Sequence, residues 1–261
     1  MTCEITEPIA GLTLFPRPED VFVPDQAHLA RYLDPLVTVD LGLVDPSWTG
    51  RVHLVSPVEP YGGLIGEDDE HWTDLVRENV IAFRVEDDGR YRFLADTAYF
   101  RLAALEADPA VTGFPERGAP AREELREYHR ARKRHEELVE LRAHYDEQHA
   151  TFEEARAHFA EHGMLCMVPL REPHEHHPVP VLDQLGGAAP DGNWVEVTDL
   201  STVEEQTADD ERVTWPVDPQ GRRFQHVASV AGYHYRGSGA DAVLLFFEPE
   251  TRTALLTFDW S

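Results

Sequence analysis

Apolar positions recur every seven residues through the middle of the chain, at Ala131, Leu138, Tyr145, Phe152 and Phe159. Leu125, Tyr128, Leu141 and Ala155 lie beside that line. At helical spacing these side chains form one stripe, which predicts a long helix or two consecutive helices from about Ala121 to His162. Thr151-Phe-Glu-Glu154 has the spacing of a capping box, so a break is expected near Ala150. Gly163 suits the C-terminal end, where a left-handed residue closes the last turn.

Before the stripe, the pattern mixes short helices and strands. "PDQAHLARYL" places Asp25 as a helix cap, and "DDEHWTDLVREN" puts acids in a first turn, where the helix dipole favours them. "TAYFRLAALEADP" reads as a helix with Thr97 or Asp96 near its cap, and "RVHLV" reads as a strand. "VIAFRVEDDGRYRFLAD" alternates twice around Asp88-Gly89, the signature of a hairpin. After the stripe, "MLCMVPL", "NWVEVTD", "FQHVASVAGYHY", "AVLLFFEP" and "TALLTFDW" are strand candidates. The last two should pair across "EPETR", and their near-continuous apolar character implies burial on both faces. "STVEEQTADDER" (201–212) holds five acids and reads as an exposed loop. Without regular β-α-β alternation, the expected fold is α+β, a mainly antiparallel sheet with the long central helical segment packed against it. The chain divides into an α+β part at 1–120, the helix or helix pair at 121–162 and a mainly β part at 163–261, which can also form one continuous domain.

Charge narrows the partners. The 261 residues carry 49 acids and 23 bases, a net charge of −26. The excess runs along the chain: 22 acids to 9 bases before residue 121, 11 to 8 through the stripe and 16 to 6 after it. Such a field repels nucleic acid and anionic lipid and attracts cationic partners, and it also serves solubility. No apolar run approaches the ~20 residues of a membrane helix. Cys3 and Cys166 are too few for a disulfide framework, and the N-terminus lacks the basic start and apolar stretch of a secretory signal. The expected compartment is the cytoplasm.

Candidate chemistry centres on histidine. In "REPHEHHPVP", His174 and His176 share a face of an extended segment while His177 points away. On the helix, His158 and His162 are one turn apart, with Glu154 one turn earlier. Each stretch supplies two ligands, or three at most, and a stable site needs three or four converging on one point. No cofactor and no tightly bound metal are therefore expected; were a metal present, His174 and His176 would be its first ligands and His158 and His162 its second. Asp146-x-x-His149 occurs once, whereas a di-iron bundle needs that spacing twice. Ser238 in "YRGSGAD" lacks the glycine spacing of a nucleophile elbow. Cys166 sits in an apolar strand, where a buried inert thiol is the default. "YGGLIG" and "LGGAAPDG" match no phosphate-loop pattern. The stripe Arg122, Arg126, Arg130 and Arg134 has Glu123 and Glu127 beside it for surface ion pairing.

The segment from about Val181 to Ser261, through "LDQLGGAAPDGNW", "GRRFQHVASVAGYHY" and "GADAVLLFFEPETRTALLTFDW", resembles part of the YwqG-like family of bacterial proteins. That resemblance implies a cytoplasmic α+β fold and brings no enzyme chemistry with it. Three functions compete on the residues alone. The first is an acidic interaction protein, of immunity type, that binds a basic protein partner. The others are a metal-assisted hydrolase built on the histidines and a scaffold or sensor. The lack of a catalytic motif and the distributed negative charge favour the first.

Overall fold

The computed structural model describes residues 4–59, 64–114, 125–168, 177–196, 200–206 and 212–260. Among these residues two large antiparallel sheets, a two-stranded hairpin and a long helix build an α+β architecture. The first sheet has the order β1 (Leu12–Leu14), β2 (Leu33–Asp40), β3 (Arg51–Pro57). Its β2–β3 register shifts between Pro35 and Val37, where a proline cannot donate to the ladder. The hairpin β4 (Val80–Val85) and β5 (Tyr91–Phe93) forms as its alternation predicts, with Gly89 at φ +86° in the turn. After the helices come β6 (Gln184–Leu185), β7 (Thr202–Gln206), β8 (Arg212–Pro216), β9 (Gln225–Val230), β10 (Ala242–Glu248) and β11 (Thr253–Asp259). The larger sheet runs β5-β4-β11-β10-β9-β6, so strands from before and after the helices share one ladder. The predicted β10–β11 hairpin pairs in full from Ala242↔Asp259 to Glu248↔Thr253.

Side-chain alternation divides this sheet between two cores. Val243, Leu245, Ala254, Leu256 and Phe258 enter the main core, shared with Val37, Val39, Val52 and Leu54 of the first sheet. Leu244, Phe246 and Leu255 face the other way, against Trp194 and Phe224. Both faces are dry, which is why β10 and β11 read as continuous apolar runs.

Helices α1 (Pro18–Val21), α2 (Arg101–Ala107) and α3 (Pro109–Thr112) are short, and α4 spans Leu125–His162. Leu138, Leu141, Tyr145, Phe152 and Ala155 of the stripe are buried, and α4 packs beside α2 and α3. Phe152 and Phe159 meet Phe15 just beyond β1, at ring distances of 5.3 and 5.7 Å. Gly163, at φ +71°, ends the helix and donates its N–H to Phe159 O at 2.8 Å.

Several expectations fail for physical reasons. The helix does not break near Ala150: the Thr151 hydroxyl donates to Gln148 O at 3.0 Å inside the helix, and the packing of Phe152 carries the backbone through. Residues 202–206 and 212–216 are not loop but the hairpin β7–β8; the exposed acids Glu204 and Glu205 find partners in Arg212 and Arg223. "NWVEVTD" opens as a 3-10 turn, Asn193–Val195, because Asn193 binds the backbone of Trp260. Asp25 lies within a 3-10 stretch, Pro24–Arg31, and pairs with Arg92 at 2.8 Å instead of capping. Only Asp69–His71 coils in "DDEHW". Asp96 caps the turn Thr97–Tyr99, and α2 starts anew at Arg101. Among described residues, "MLCMVPL" forms one bridge, Cys166↔Pro178. No described helix is long and apolar enough to cross a membrane.

Candidate functional site

Glu59 follows the apolar strand β3, two residues past its end, and is buried. The helix end at Phe100 has no side-chain cap, and Glu59 takes that role from a distance: Arg101 N–H donates to Glu59 Oε2 at 3.0 Å. The Tyr145 hydroxyl, from α4, donates to Glu59 Oε1 at 2.7 Å. Next to it His144 Nε2 bonds Val58 O at 3.0 Å, pinning α4 to this segment. Burial outweighs these donors and raises the Glu59 carboxyl from 4.5 to about 7. Tyr145 is raised well above its ordinary value by burial and by the Glu59 charge.

This carboxyl lines a cavity of about 490 Å³ between α2, α4 and the loop from Leu64 to Asp69. Arg101 crosses it to grip Glu137 of α4 with both forks, at 2.6 and 2.9 Å. The loop rests on an aromatic floor: a β-carbon on Gly66, at φ +71°, would lie 2.1 Å from the Tyr99 ring. Gly66 O accepts from Trp72 Nε1–H at 2.8 Å, and Ile65 O accepts from Asn79 N–H at 2.8 Å. Among the described residues five carboxylates line the cavity, from Glu59, Glu67, Asp68, Asp69 and Glu137, against the single guanidinium of Arg101. Asp68, one of the lining residues, also belongs to a group with Glu70 and His71 in which each brings one ligand atom within 4.8 Å of the others.

His174 and His176 lie outside the described residues. His158 and His162 do come together, with ring centres 4.5 Å apart. His158 is buried, not solvated, and its Nδ1 lies 3.3 Å from Met164 O. Among described residues this pair recruits no third ligand within metal reach; the group that does is Asp68, Glu70 and His71. His149 turns to Asp34 at 3.3 Å, which raises its pKa, and leaves Asp146 aside. Ser238 Oγ donates to Gln148 Oε1 at 2.9 Å, tethering the β9–β10 loop to α4. Cys166 is buried, and burial pushes its thiol up. Sequence reasoning passed over Glu59, whose one signal is an acid directly after the apolar "RVHLVSPV". No family model, curated protein or solved structure matches this chain.

Proposed function

We propose that this is an acidic interaction protein, of immunity type, that receives a cationic side chain of a basic protein partner in the Glu59 cavity. The observation that carries the reading is the charge inside the cavity. Among the described residues five carboxylates face one guanidinium, and that guanidinium is already committed to Glu137. Among the described residues Glu59 makes no ion pair, the nearby Arg101 charge offsets its burial only in part, and burial holds its proton up to about pH 7. An arginine or lysine entering the cavity offsets that burial cost and releases the proton. The net charge of −26 steers such a partner toward the protein.

A short arginine-rich peptide serves as the probe, with binding followed by surface-based kinetics. Its on-rate should fall as salt rises, since screening shortens the field to ~8 Å at physiological ionic strength. Affinity should strengthen as pH passes 7, and Glu59→Gln should abolish that pH dependence. Equal binding to wild type and Glu59→Gln at pH 8 refutes the cavity as the receptor. Purification from the native host under low salt then identifies the partner, which should be basic.

The convergence of Asp68, Glu70 and His71 favours a second reading, a metal-assisted hydrolase with Glu59 as its base. Metal-dependent turnover lost in His71→Ala, with no binding of the peptide, would select it. The YwqG-like resemblance of residues 181–261 adds chemistry to neither.

A further inference from the structure

His149, half-buried on α4, meets two groups that can only accept. Its Nε2 lies 3.0 Å from the carbonyl oxygen of Arg31, which ends the 3-10 stretch Pro24–Arg31. Its Nδ1 lies 3.3 Å from Oδ1 of Asp34, a buried side chain of β2 whose other oxygen accepts from Arg236 at 2.9 Å. A neutral imidazole carries one N–H and one lone pair. In either neutral form it would aim that lone pair at an oxygen, the carbonyl in one and the carboxylate in the other. Only the imidazolium, with a proton on each nitrogen, makes both contacts attractive.

We propose that the doubly protonated His149 is a pH-sensitive fastening, which anchors the middle of α4 to β2 and to the 3-10 stretch before it and loses one of those two anchors when the ring becomes neutral. The turn it holds also carries Tyr145, the donor to Glu59, whose ring stands edge-on to His149 at 6.0 Å. The fastening acts whether or not the Glu59 cavity receives a partner's side chain.

The charges around the ring agree with this reading. The contact with Asp34 is the largest influence on His149 and raises its pKa; burial and the Arg236 charge, from the β9–β10 loop, oppose it, and the Arg31 carbonyl adds to it. The guanidinium of Arg31 turns to Glu106 of α2, at 2.6 and 2.8 Å, and Arg142 of α4 joins the same carboxylate at 2.9 Å. His144 supplies a contrast on the same helix: its Nε2 also bonds a carbonyl, Val58 O at 3.0 Å, yet burial lowers its pKa. The sign follows from the raised value. Stabilisation by His149 is full below its ordinary 6.5, where folded and unfolded chains both hold the proton, and is lost as pH rises through the folded value.

Nitrogen–proton NMR of the histidine rings in the full chain reads Nδ1 and Nε2 separately, with His149 assigned by the signals lost in His149→Gln. His149 should keep both nitrogens protonated at pH 6.5 and titrate above it, while His144 titrates below it. Amide hydrogen exchange across residues 145–152, corrected for intrinsic rates, gives the second readout. Protection in the wild type should fall as pH rises through the His149 midpoint, by about tenfold for each pH unit by which that midpoint exceeds 6.5. His149→Gln cannot titrate and should lack that fall, and the titration of Glu59 is common to both proteins. A His149 midpoint at or below 6.5 overturns the proposal, as does the same pH dependence of protection in both proteins. Should His149→Gln not fold, sequential assignment of the wild type gives the midpoint alone, and the same limit decides.

Discussion

Replacing Glu59 with Gln tests the electrostatics of the acidic cavity without changing its shape. In the folded chain the carboxyl gives up its proton near pH 7, against 4.5 for its ordinary value. Below pH 4.5 the group is neutral in both states and burial costs nothing electrostatically. As pH rises from 4.5, the unfolded chain ionises while the folded one holds its proton, and stability falls. Above about pH 7 both states are ionised and the deficit is constant. At 1.36 kcal/mol per pH unit the full deficit is ~3 kcal/mol. Gln avoids it: its carbonyl can accept from Arg101 N–H, and its amide can donate to the Tyr145 hydroxyl oxygen, in place of the two bonds now seen. Urea unfolding of both proteins from pH 4 to pH 8 gives the comparison directly. The variant should match wild type near pH 4 and exceed it by ~3 kcal/mol at pH 8, with the gap opening through pH 5–7. Other titrating groups are common to both proteins and cancel. A gap that stays constant over that range would refute the assignment of the raised carboxyl to Glu59.

Three further perturbations address separate parts of the molecule. His53 is buried and neutral, with Nδ1 accepting from the Thr38 hydroxyl at 2.8 Å and Nε2–H donating to Gly89 O at 3.0 Å. Burial lowers its pKa from 6.5 to about 4, so its contribution is full above pH 6.5 and is lost as pH falls toward 4; His53→Gln should flatten that limb by ~3 kcal/mol in urea unfolding. Arg236 is buried and donates to Asp34 at 2.9 Å, to Ser56 Oγ at 3.1 Å and to Pro57 O. Arg236→Met should cost at most about 3–5 kcal/mol, because it leaves the buried Asp34 with only His149, at 3.3 Å, as its partner, and adding Asp34→Asn should restore part of it. Elemental analysis of the purified protein should find no stoichiometric zinc, iron or nickel; if one is found, alanine at His71, at His174 and His176, or at His158 and His162, should show which group holds it.

The fold was legible where one periodicity governs a whole element. The seven-residue stripe located α4, and the two apolar runs around "EPETR" located β10 and β11, because each buries a face repeated many times along its length. Legibility failed where one side chain overrides the local pattern. Asn193 turns the opening of "NWVEVTD" away from a strand by binding Trp260, and Arg212 and Arg223 let the acidic β7 pair although its composition reads as loop. Thr151 has every local mark of a cap, but Phe152 against Phe15 fixes it inside the helix. In each case the deciding partner comes from another element, so no local window contains it.

The same rule explains why the cavity was invisible while the histidines drew attention. His174 and His176 are neighbours in the chain, and proximity in sequence suggests a site before any geometry is known. Glu59, Arg101, Glu137 and Tyr145 are spread over 86 residues, and the first bonds Tyr145 across that whole separation. Tyr145 was found, but as a core residue of the stripe, because periodicity registers the buried ring and is blind to the hydroxyl at its end. That hydroxyl needs a partner once the ring is buried. A tyrosine on a buried stripe therefore implies an acceptor elsewhere in the core, and in a chain with 49 acids a carboxylate is the acceptor in best supply. Pairing the buried tyrosines with acids at the ends of apolar strands would have reached Glu59, since "RVHLVSPV" runs directly into it. The candidate site lies where two apolar patterns end on polar atoms, the Glu59 carboxylate and the Tyr145 hydroxyl, that meet at 2.7 Å.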